Sequence, residues 1–516
     1  MAAIDKQGLR SPMIHEKVAH WAALTPNAVA VRSASETLTY AELDRQSSAL
    51  AGYLREQGIG TGSLVGVYFQ PSPATLLCML GILKSGAAYV PLDVANPSAR
   101  LAQMIGQLAD LKLIFTSAPF IANLGGQAVP VADIEQVRML LEGLPVAQPS
   151  HWPVQENTLC YTVFTSGTTG VPKAVAITHR SWANLIDWHV REYGLGQDSN
   201  GILVSAYGFD ISQRSLVTPL YSGAAISLTS SRMFDGYEIA GLIEQHRVAS
   251  IHLAPSSLYL ILQAGQAGEQ LASLRHLFIG GEALSTARVV EWAKGKGAAC
   301  NLIHQYGVAE CTDVATCHRM VDYATYLTDG IPMGEPVGNC RVDVLDEHDC
   351  PVTVGETGQI VISGMGVGQG YLNNLTLQAE RFRPMTVDGV TRAAYFTGDY
   401  ARRKADGSFI CVGRRDNQIK IRGMLVNLSE IENGVRNALD AVEDAIVLNT
   451  QALPGQEAEL TAFVTTSDEL PTLHDIGRQL SALLPNHMHP RRYVACKQFP
   501  LTQNGKIDRQ ALLNMG

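Results

Sequence analysis

The sequence predicts an α/β protein: a large N-terminal unit of mostly parallel sheets and helices that includes a β-rich subdomain, and a small α+β unit at the C-terminus. Three observations lead there. Apolar, strand-like runs alternate with helical stretches through most of the chain; the texture changes to short strands parted by Gly, Asp and Asn after about residue 320; and the last 100 or so residues mix helices and strands.

In chain order, residues 64–69 (Leu-Val-Gly-Val-Tyr-Phe) read as a strand, 74–84 as a helix and 88–92 as the next strand. The alternation recurs with strands expected near 201–205, 250–254 and 277–279. Strands separated by helices in this way pair in parallel. Residues 341–345, 359–363, 409–412 and 418–421 then read as hairpin strands. The polar run Gly413-Arg414-Arg415-Asp416-Asn417 lies between two of them and is a candidate hinge. A helix over 429–439, strands at 445–448 and 460–465, and a helix near 476–484 complete the chain. This places the domains at residues 1–415 and 416–516.

At 516 residues the chain is too long for one ordinary core. Hydrophobic residues make up 46% and charged residues 17%, a globular balance. The net charge is −9, from 39 basic and 48 acidic residues, with no Lys/Arg block, which argues against nucleic acid as a partner. No apolar run approaches the roughly 18 residues of a membrane span, and the N-terminus lacks the apolar segment of a secretion signal. Nine scattered cysteines, the nearest pair being Cys311 and Cys317, fit neither a zinc knuckle nor a disulfide framework. A cytoplasmic protein without membrane partners is expected.

The strongest chemical signal is Thr165-Ser166-Gly167-Thr168-Thr169-Gly170-Val171-Pro172-Lys173, which follows the strand-like run 159–164. Small residues let backbone amides approach phosphate oxygens, hydroxyls add donors and Lys173 adds charge. The spacing of a Walker loop is not met.

Further motifs follow in order. They are Leu38-Thr39-Tyr40-Ala41-Glu42-Leu43, the run Leu83 to Asp93, Phe209-Asp210-Ile211-Ser212, and Gln305-Tyr306-Gly307-Val308-Ala309-Glu310. After them stand Tyr395-Phe396-Thr397-Gly398-Asp399, Gly413 to Asp416, Lys420-Ile421-Arg422-Gly423 and Asn504-Gly505-Lys506-Ile507-Asp508-Arg509. With the Thr165–Lys173 loop they make the sequence resemble the adenylate-forming superfamily, and within it the adenylation domains of nonribosomal peptide synthetases, across almost the whole chain.

The resemblance implies ATP and Mg²⁺ as cofactors and an amino acid as substrate. The acid would be joined to AMP with release of pyrophosphate, then passed to the phosphopantetheine thiol of a carrier protein. With seven residues after Arg509 and no carrier motif, the carrier is expected in trans. The resemblance places the phosphates on Thr165, Ser166, Gly167, Thr168, Thr169, Gly170 and Lys173. It places adenine on Tyr306, the ribose on Asp399 and Arg414, and adds Gly281, Glu282 and Gly307 to the residues that bind ATP. Glu310 becomes the metal ligand and Lys506 the catalytic cation on the transferring phosphoryl group. Asp416 becomes the hinge of a mobile C-terminal lid, whose rotation withdraws Lys506 and brings the region of Lys420 to Gly423 in. An acyl- or aryl-CoA ligase of the same fold is the alternative, against which Asp210 counts.

Asp210 matches the residue that pairs with the α-ammonium of an amino acid. The remaining pocket positions implied are Ile211, Arg214, His252, Phe278, Gly280, Gln305, Asp313 and Val314. Arg214 and His252 favour a side-chain carboxylate on the substrate, since a buried unpaired charge is costly. Asp313 leaves a second reading open: paired with Arg214, it makes a polar but neutral pocket. Gln369, Leu425, Asn427, Ala174 and the Val308-Ala309 pair depart from the family pattern, and Gln369, Leu425 and Asn427 bear on thioester transfer.

Overall fold

The computed structural model describes residues 10–142, 154–165, 172–231, 234–265, 269–387, 389–414, 418–421, 424–450, 459–466, 470–500 and 507–515. Two large sheets form its first 370 residues or so. In one, strands run in the order Glu335–Pro336, Thr316–Arg319, Asn301–Tyr306, His276–Gly280, Ser250–Leu253, Gly201–Ile202, Ile226–Ser227, Val29–Arg32 and Thr37–Thr39. From Asn301–Tyr306 to Val29–Arg32 its pairs are parallel; the two pairs at the Glu335 end and the one at the Thr37 end are antiparallel. In the other, the order is Gly370–Tyr371, Lys173–Thr178, Leu159–Thr165, Ala88–Pro91, Leu64–Tyr68, Leu111–Thr116 and Val131–Asp133, again parallel inside and antiparallel at the Lys173 edge.

Burial explains the sequence texture. Every residue of Leu64–Tyr68 is buried, as befits a parallel strand covered on both faces. The helix Pro73–Ser85 that follows is buried almost all round, which is why it shows no polar face. It stops at Gly86, whose φ of 86° a side-chain-bearing residue rarely adopts. The helix Tyr40–Glu56 starts at Thr39, whose side chain accepts from the Glu42 amide while Glu42 accepts from the Thr39 amide.

The expected β-rich region is an antiparallel sheet of Cys340–Leu345, Thr357–Gly364, Val390–Arg403, Phe382–Val387 and Phe409–Arg414. Beyond it, the hairpin Gln418–Ile421/Met424–Asn427, the helix Leu428–Ala438 and a three-stranded sheet of Val442–Asn449, Leu460–Thr466 and Arg492–Cys496 build cores of their own, around Ile431, Val435 and Leu480 on one side and Phe463 and Leu512 on the other. This C-terminal region meets the rest at a buried ion pair, Arg100 with Glu430, and through Phe209, which packs against its core.

Two expected elements shift. The strand expected over 201–205 ends at Ile202, and Val204 and Ser205 turn out of the sheet into the wall of a cavity. The helix expected near 476–484 is Leu473–Leu480, because the Thr472 side chain caps its start by accepting from the Asp475 amide.

Candidate active site

In a parallel sheet, the carboxyl ends of the strands open onto loops and leave a crevice there. Here that crevice is a cavity of about 800 Å³. Its walls come from the ends of four parallel strands: Val163, Phe164 and Thr165; Val204, Ser205 and Ala206; Gly280, Gly281 and Glu282; and Tyr306, Gly307 and Val308. The helix Asp210–Ser222 contributes Asp210, Ile211 and Arg214, and the turn after Glu310 contributes Asp313 and Val314. The C-terminal region closes it with Lys420, Met424, Leu425, Asn449 and His487.

Asp210 stands at the first turn of its helix, where its Oδ1 accepts from the Ile211 amide at 2.8 Å. Desolvation pushes its carboxyl up to about 7, and the negative charge of Asp313 adds to the shift while the Ile211 amide and Lys420 oppose it. Among the described residues no cation lies at hydrogen-bond distance from it.

Arg214 does not supply one. Its Nε donates to Asp313 Oδ2 at 2.5 Å and its Nη1 to Gln305 Oε1 at 2.8 Å. Asp313 is held for this pairing by an unusual backbone, with φ of 61° at Thr312 and 71° at Asp313. Gly307 must be glycine for the turn to close: a Cβ there would lie 1.9 Å from the Asp313 carbonyl oxygen.

Tyr306, at the end of its strand, donates its hydroxyl to Asp399 Oδ2 at 2.7 Å, and Arg414 Nη1 donates to Asp399 Oδ1 at 2.8 Å. Tyr306 borders the cavity, whereas Asp399 and Arg414 lie outside its lining. Glu310 is buried yet lines the cavity; Tyr371 donates its hydroxyl to Glu310 Oε1 at 2.7 Å, and the Tyr395 hydroxyl lies 3.0 Å from that of Tyr371. The Lys173 ammonium lies 5.6 Å from the centroid of the Tyr371 ring. The Thr165 hydroxyl is buried without a partner among the described residues. Glu282 accepts from the Ser256 amide at 3.1 Å. Lys420 Nζ reaches the Gly307 carbonyl oxygen at 3.4 Å and stands 5.8 Å from the Tyr306 ring centroid.

The cavity thus gathers Thr165, Asp210, Ile211, Arg214, Gly280, Gly281, Glu282, Gln305, Tyr306, Gly307, Glu310, Asp313 and Val314 of the residues singled out from sequence. His252 and Phe278 do not line it. Phe278 shares a sheet face with Gly280 but lies two residues deeper, stacked on His252 at 4.8 Å between ring centroids, with His189 4.2 Å from Phe278. Ser166 to Gly170, Asp416 and Lys506 lie outside the described residues. The roles of Tyr371, Tyr395 and His189 were not drawn from the sequence. Tyr395 belongs to a recognisable motif and Tyr371 follows Gln369 closely, but only the fold brings the two tyrosines to Glu310.

The model for AMP-binding enzymes matches residues 18–372. The chain belongs to the AMP-binding enzyme family. Members of this family use ATP and Mg²⁺. This AMP-binding enzyme is 34% identical to a linear gramicidin synthase of Brevibacillus parabrevis over 97% of its length and 33% identical to surfactin synthase subunit 2 of Bacillus subtilis over 95%. It spans only 6% and 14% of those relatives. A holo NRPS protein containing adenylation and PCP domains, bound to a vinylsulfonamide inhibitor, superposes with a TM-score of 0.83 at 28% identity, covering 98% of this chain and 84% of that one. At 18% identity, the o-succinylbenzoate CoA synthetase of Bacillus subtilis shares the fold, with a TM-score of 0.82 over 96% of this chain and 98% of its own.

Proposed function

We propose that this AMP-binding enzyme activates an amino acid as its aminoacyl adenylate, releasing pyrophosphate, and passes the acyl group to the phosphopantetheine thiol of a carrier. The observation that carries the reading is Asp210: a desolvated carboxylate lining the cavity with no cation paired to it among the described residues, placed to take an α-ammonium. A substrate lacking that ammonium would leave Asp210 to take up a proton and would forgo the ion pairing that an α-ammonium supplies. This weighs against an acyl-CoA ligase, although the CoA synthetase likeness extends over nearly the whole fold.

The residues divide the work by position. Tyr306 offers a flat wall for adenine, and Asp399, fixed by Tyr306 and Arg414, offers acceptor lone pairs towards the ribose. Thr165 brings to the phosphate end a hydroxyl that has no partner among the described residues. Glu310 fits a magnesium ion, which takes one or two carboxylates and completes its shell with phosphate oxygens and water; when bound, the ion neutralises charge on those oxygens. Among the described residues no cluster of three or more carboxylate, histidine or cysteine ligands competes for that role. Asp210 orients the substrate so that its carboxylate meets the α-phosphorus. Lys506 is our candidate for the cation that stabilises the developing charge, and Asp416 for the hinge.

Lys420 and the hairpin that carries it stand in the cavity wall. This supports reading the arrangement as the one for thiol transfer, with residues 416–516 acting as the lid. The test is amino-acid-dependent exchange of pyrophosphate into ATP, screened over proteinogenic and common nonproteinogenic amino acids, followed by product analysis with a holo carrier or with free CoA. Exchange with amino acids and loading of the carrier support the proposal. Exchange confined to carboxylic acids without an amine, with CoA thioesters as product, overturns it.

A further inference from the structure

Arg214 is only 1% exposed, yet it lines the cavity. Two of its three nitrogens are engaged, Nε by Asp313 and Nη1 by Gln305, and Nη2 bonds no other described residue. Asp313 engages Oδ2 in that pair, and Oδ1 has no hydrogen bond among the described residues. The deep wall is therefore lined by an ion pair of zero net charge that leaves one nitrogen and one carboxylate oxygen without a hydrogen bond among the described residues. The rest of this deep wall adds no charge. Gln305 is fixed between Arg214 and Cys317 Sγ, at 3.2 Å, and Gly280 has no side chain. His252 and His189, deeper in, are held neutral by burial and by Arg214 nearby.

We infer that the substrate is an amino acid whose side chain ends in a neutral group carrying both an acceptor oxygen and N–H donors, a carboxamide or a ureido group. The inference rests on the proposed amino-acid activation. With the α-ammonium on Asp210, the two desolvated carboxylates, Asp210 and Asp313, are balanced by two cations, the ammonium and Arg214. A carboxamide oxygen accepts from Arg214 Nη2 while its N–H donates to Asp313 Oδ1. A carboxylate in the same place satisfies Arg214 but sets an oxygen against that of Asp313 with no proton between them. An ammonium side chain meets Arg214 with the same fault, and an apolar one leaves both atoms desolvated and unpaired. The acidic side chain expected from sequence required an unpaired Arg214, and Arg214 is paired.

The experiment uses the purified full chain and pyrophosphate exchange with L-glutamine, L-asparagine and L-citrulline. L-glutamate, L-aspartate, L-lysine, L-ornithine, L-leucine and L-methionine serve as the counterparts. One of the first three should exceed its charged or apolar counterparts by about 100-fold in kcat/KM, because a site built around polar partners discriminates strongly against analogues that leave them unpaired. Exchange that is equal or greater with a charged or apolar amino acid overturns the inference and leaves amino-acid activation standing. No exchange with any amino acid, by a chain that still binds ATP, overturns both. Asp313→Asn supplies a second reading that partial misfolding does not disturb, because two substrates are compared on one preparation. It replaces the carboxylate by an amide, so the preference for carboxylate over carboxamide of equal length should rise at least about tenfold. An unchanged ratio overturns the inference.

Discussion

Asp210 makes a prediction at the scale of one residue. Its carboxyl is pushed up to about 7 by desolvation, so near neutrality part of the empty enzyme holds it protonated. Binding an α-ammonium requires the ionised form. KM for the amino acid should therefore be flat above about pH 7 and rise about tenfold per pH unit below it, which exchange assays across the range from about pH 5.5 to about 8.5 will read. Asp210→Asn should remove that inflection and weaken substrate use by about 2–5 kcal/mol; an inflection that survives in the variant assigns it to another group. Tyr371 makes the second prediction. It donates to Glu310 and is itself braced by Tyr395, so Tyr371→Phe leaves the carboxylate free to turn. Outer-sphere partners of this kind are worth roughly 10–100-fold in metal affinity. Calorimetric titration of ATP with and without Mg²⁺ should show the metal-dependent part of ATP binding weakened to that extent, with metal-free ATP binding and amino-acid KM unchanged. Unaltered metal dependence would reduce Tyr371 to packing. Legibility differs among these residues for a physical reason. Asp210, Tyr306 and Glu310 sit in local motifs, so sequence alone points to them. Pairing Arg214 with Asp313, 99 residues away, was one of two open readings, and for the partner of Glu310, 61 residues away, a single sequence carries no signal.

At the scale of elements, the parallel strands were legible because two-sided burial leaves near-continuous apolar runs, as in Leu64–Tyr68 and Ser250–Leu253. The short strand Gly201–Ile202 was overcalled because Leu203 and Val204 are as apolar as strand residues, although Val204 is spent on the cavity wall. What the sequence could not give is how the C-terminal elements lie against the rest. One contact there invites a test. Glu430, in the first turn of the helix Leu428–Ala438, pairs with Arg100 on the helix Ser98–Ile105, and both side chains are mostly buried. Burial pushes the Glu430 carboxyl up and Arg100 opposes the shift. Removing one partner of a buried pair strands the other, at roughly 3–5 kcal/mol. That cost falls on the arrangement described here, in which the strands Gln418–Ile421 and Met424–Asn427 stand at the cavity; in the proposed lid rotation, the adenylation arrangement would not carry it. Glu430→Gln and Arg100→Gln should each lower acyl transfer to the carrier by about tenfold or more, while pyrophosphate exchange changes by less than about threefold. Equal losses in both half-reactions would assign the pair to general stability.

For the whole molecule, the distribution of histidines sets the response to acid. His179, buried, and His15, half-buried, form an edge-to-face pair, 5.6 Å between centroids, and desolvation pushes each down to about 3. His304 is pushed down to about 4, and His189 and His252 lie well below the ordinary value, all mainly through burial. Each is neutral in the folded protein and takes a proton in the unfolded chain near pH 6.5. Below that pH the unfolded state binds more protons, so stability falls with falling pH at about 1.4 kcal/mol per unit for each such histidine, until the folded value is reached. Carboxyls act in the opposite sense where burial raises them above their unfolded values, as at Asp93, Asp210, Asp313, Glu430 and Glu432. These take up their proton in the folded state first, so each offsets part of the loss as pH falls from its raised folded value to the unfolded value near 4. The five imidazoles act together from about pH 6.5 downward. The midpoint of thermal or urea unfolding should therefore begin to drop near pH 6.5 and not near pH 4, the range in which ordinary carboxylates titrate. His179→Gln isolates the effect: with one fewer proton taken up on unfolding, its stability at about pH 7 is lower than that of the wild type, but its slope between about pH 6 and 5 is shallower by about 1.4 kcal/mol per unit. A wild-type midpoint that is flat from about pH 7 to 5, or a variant with an unchanged slope, would show that these imidazoles do not control the acid response.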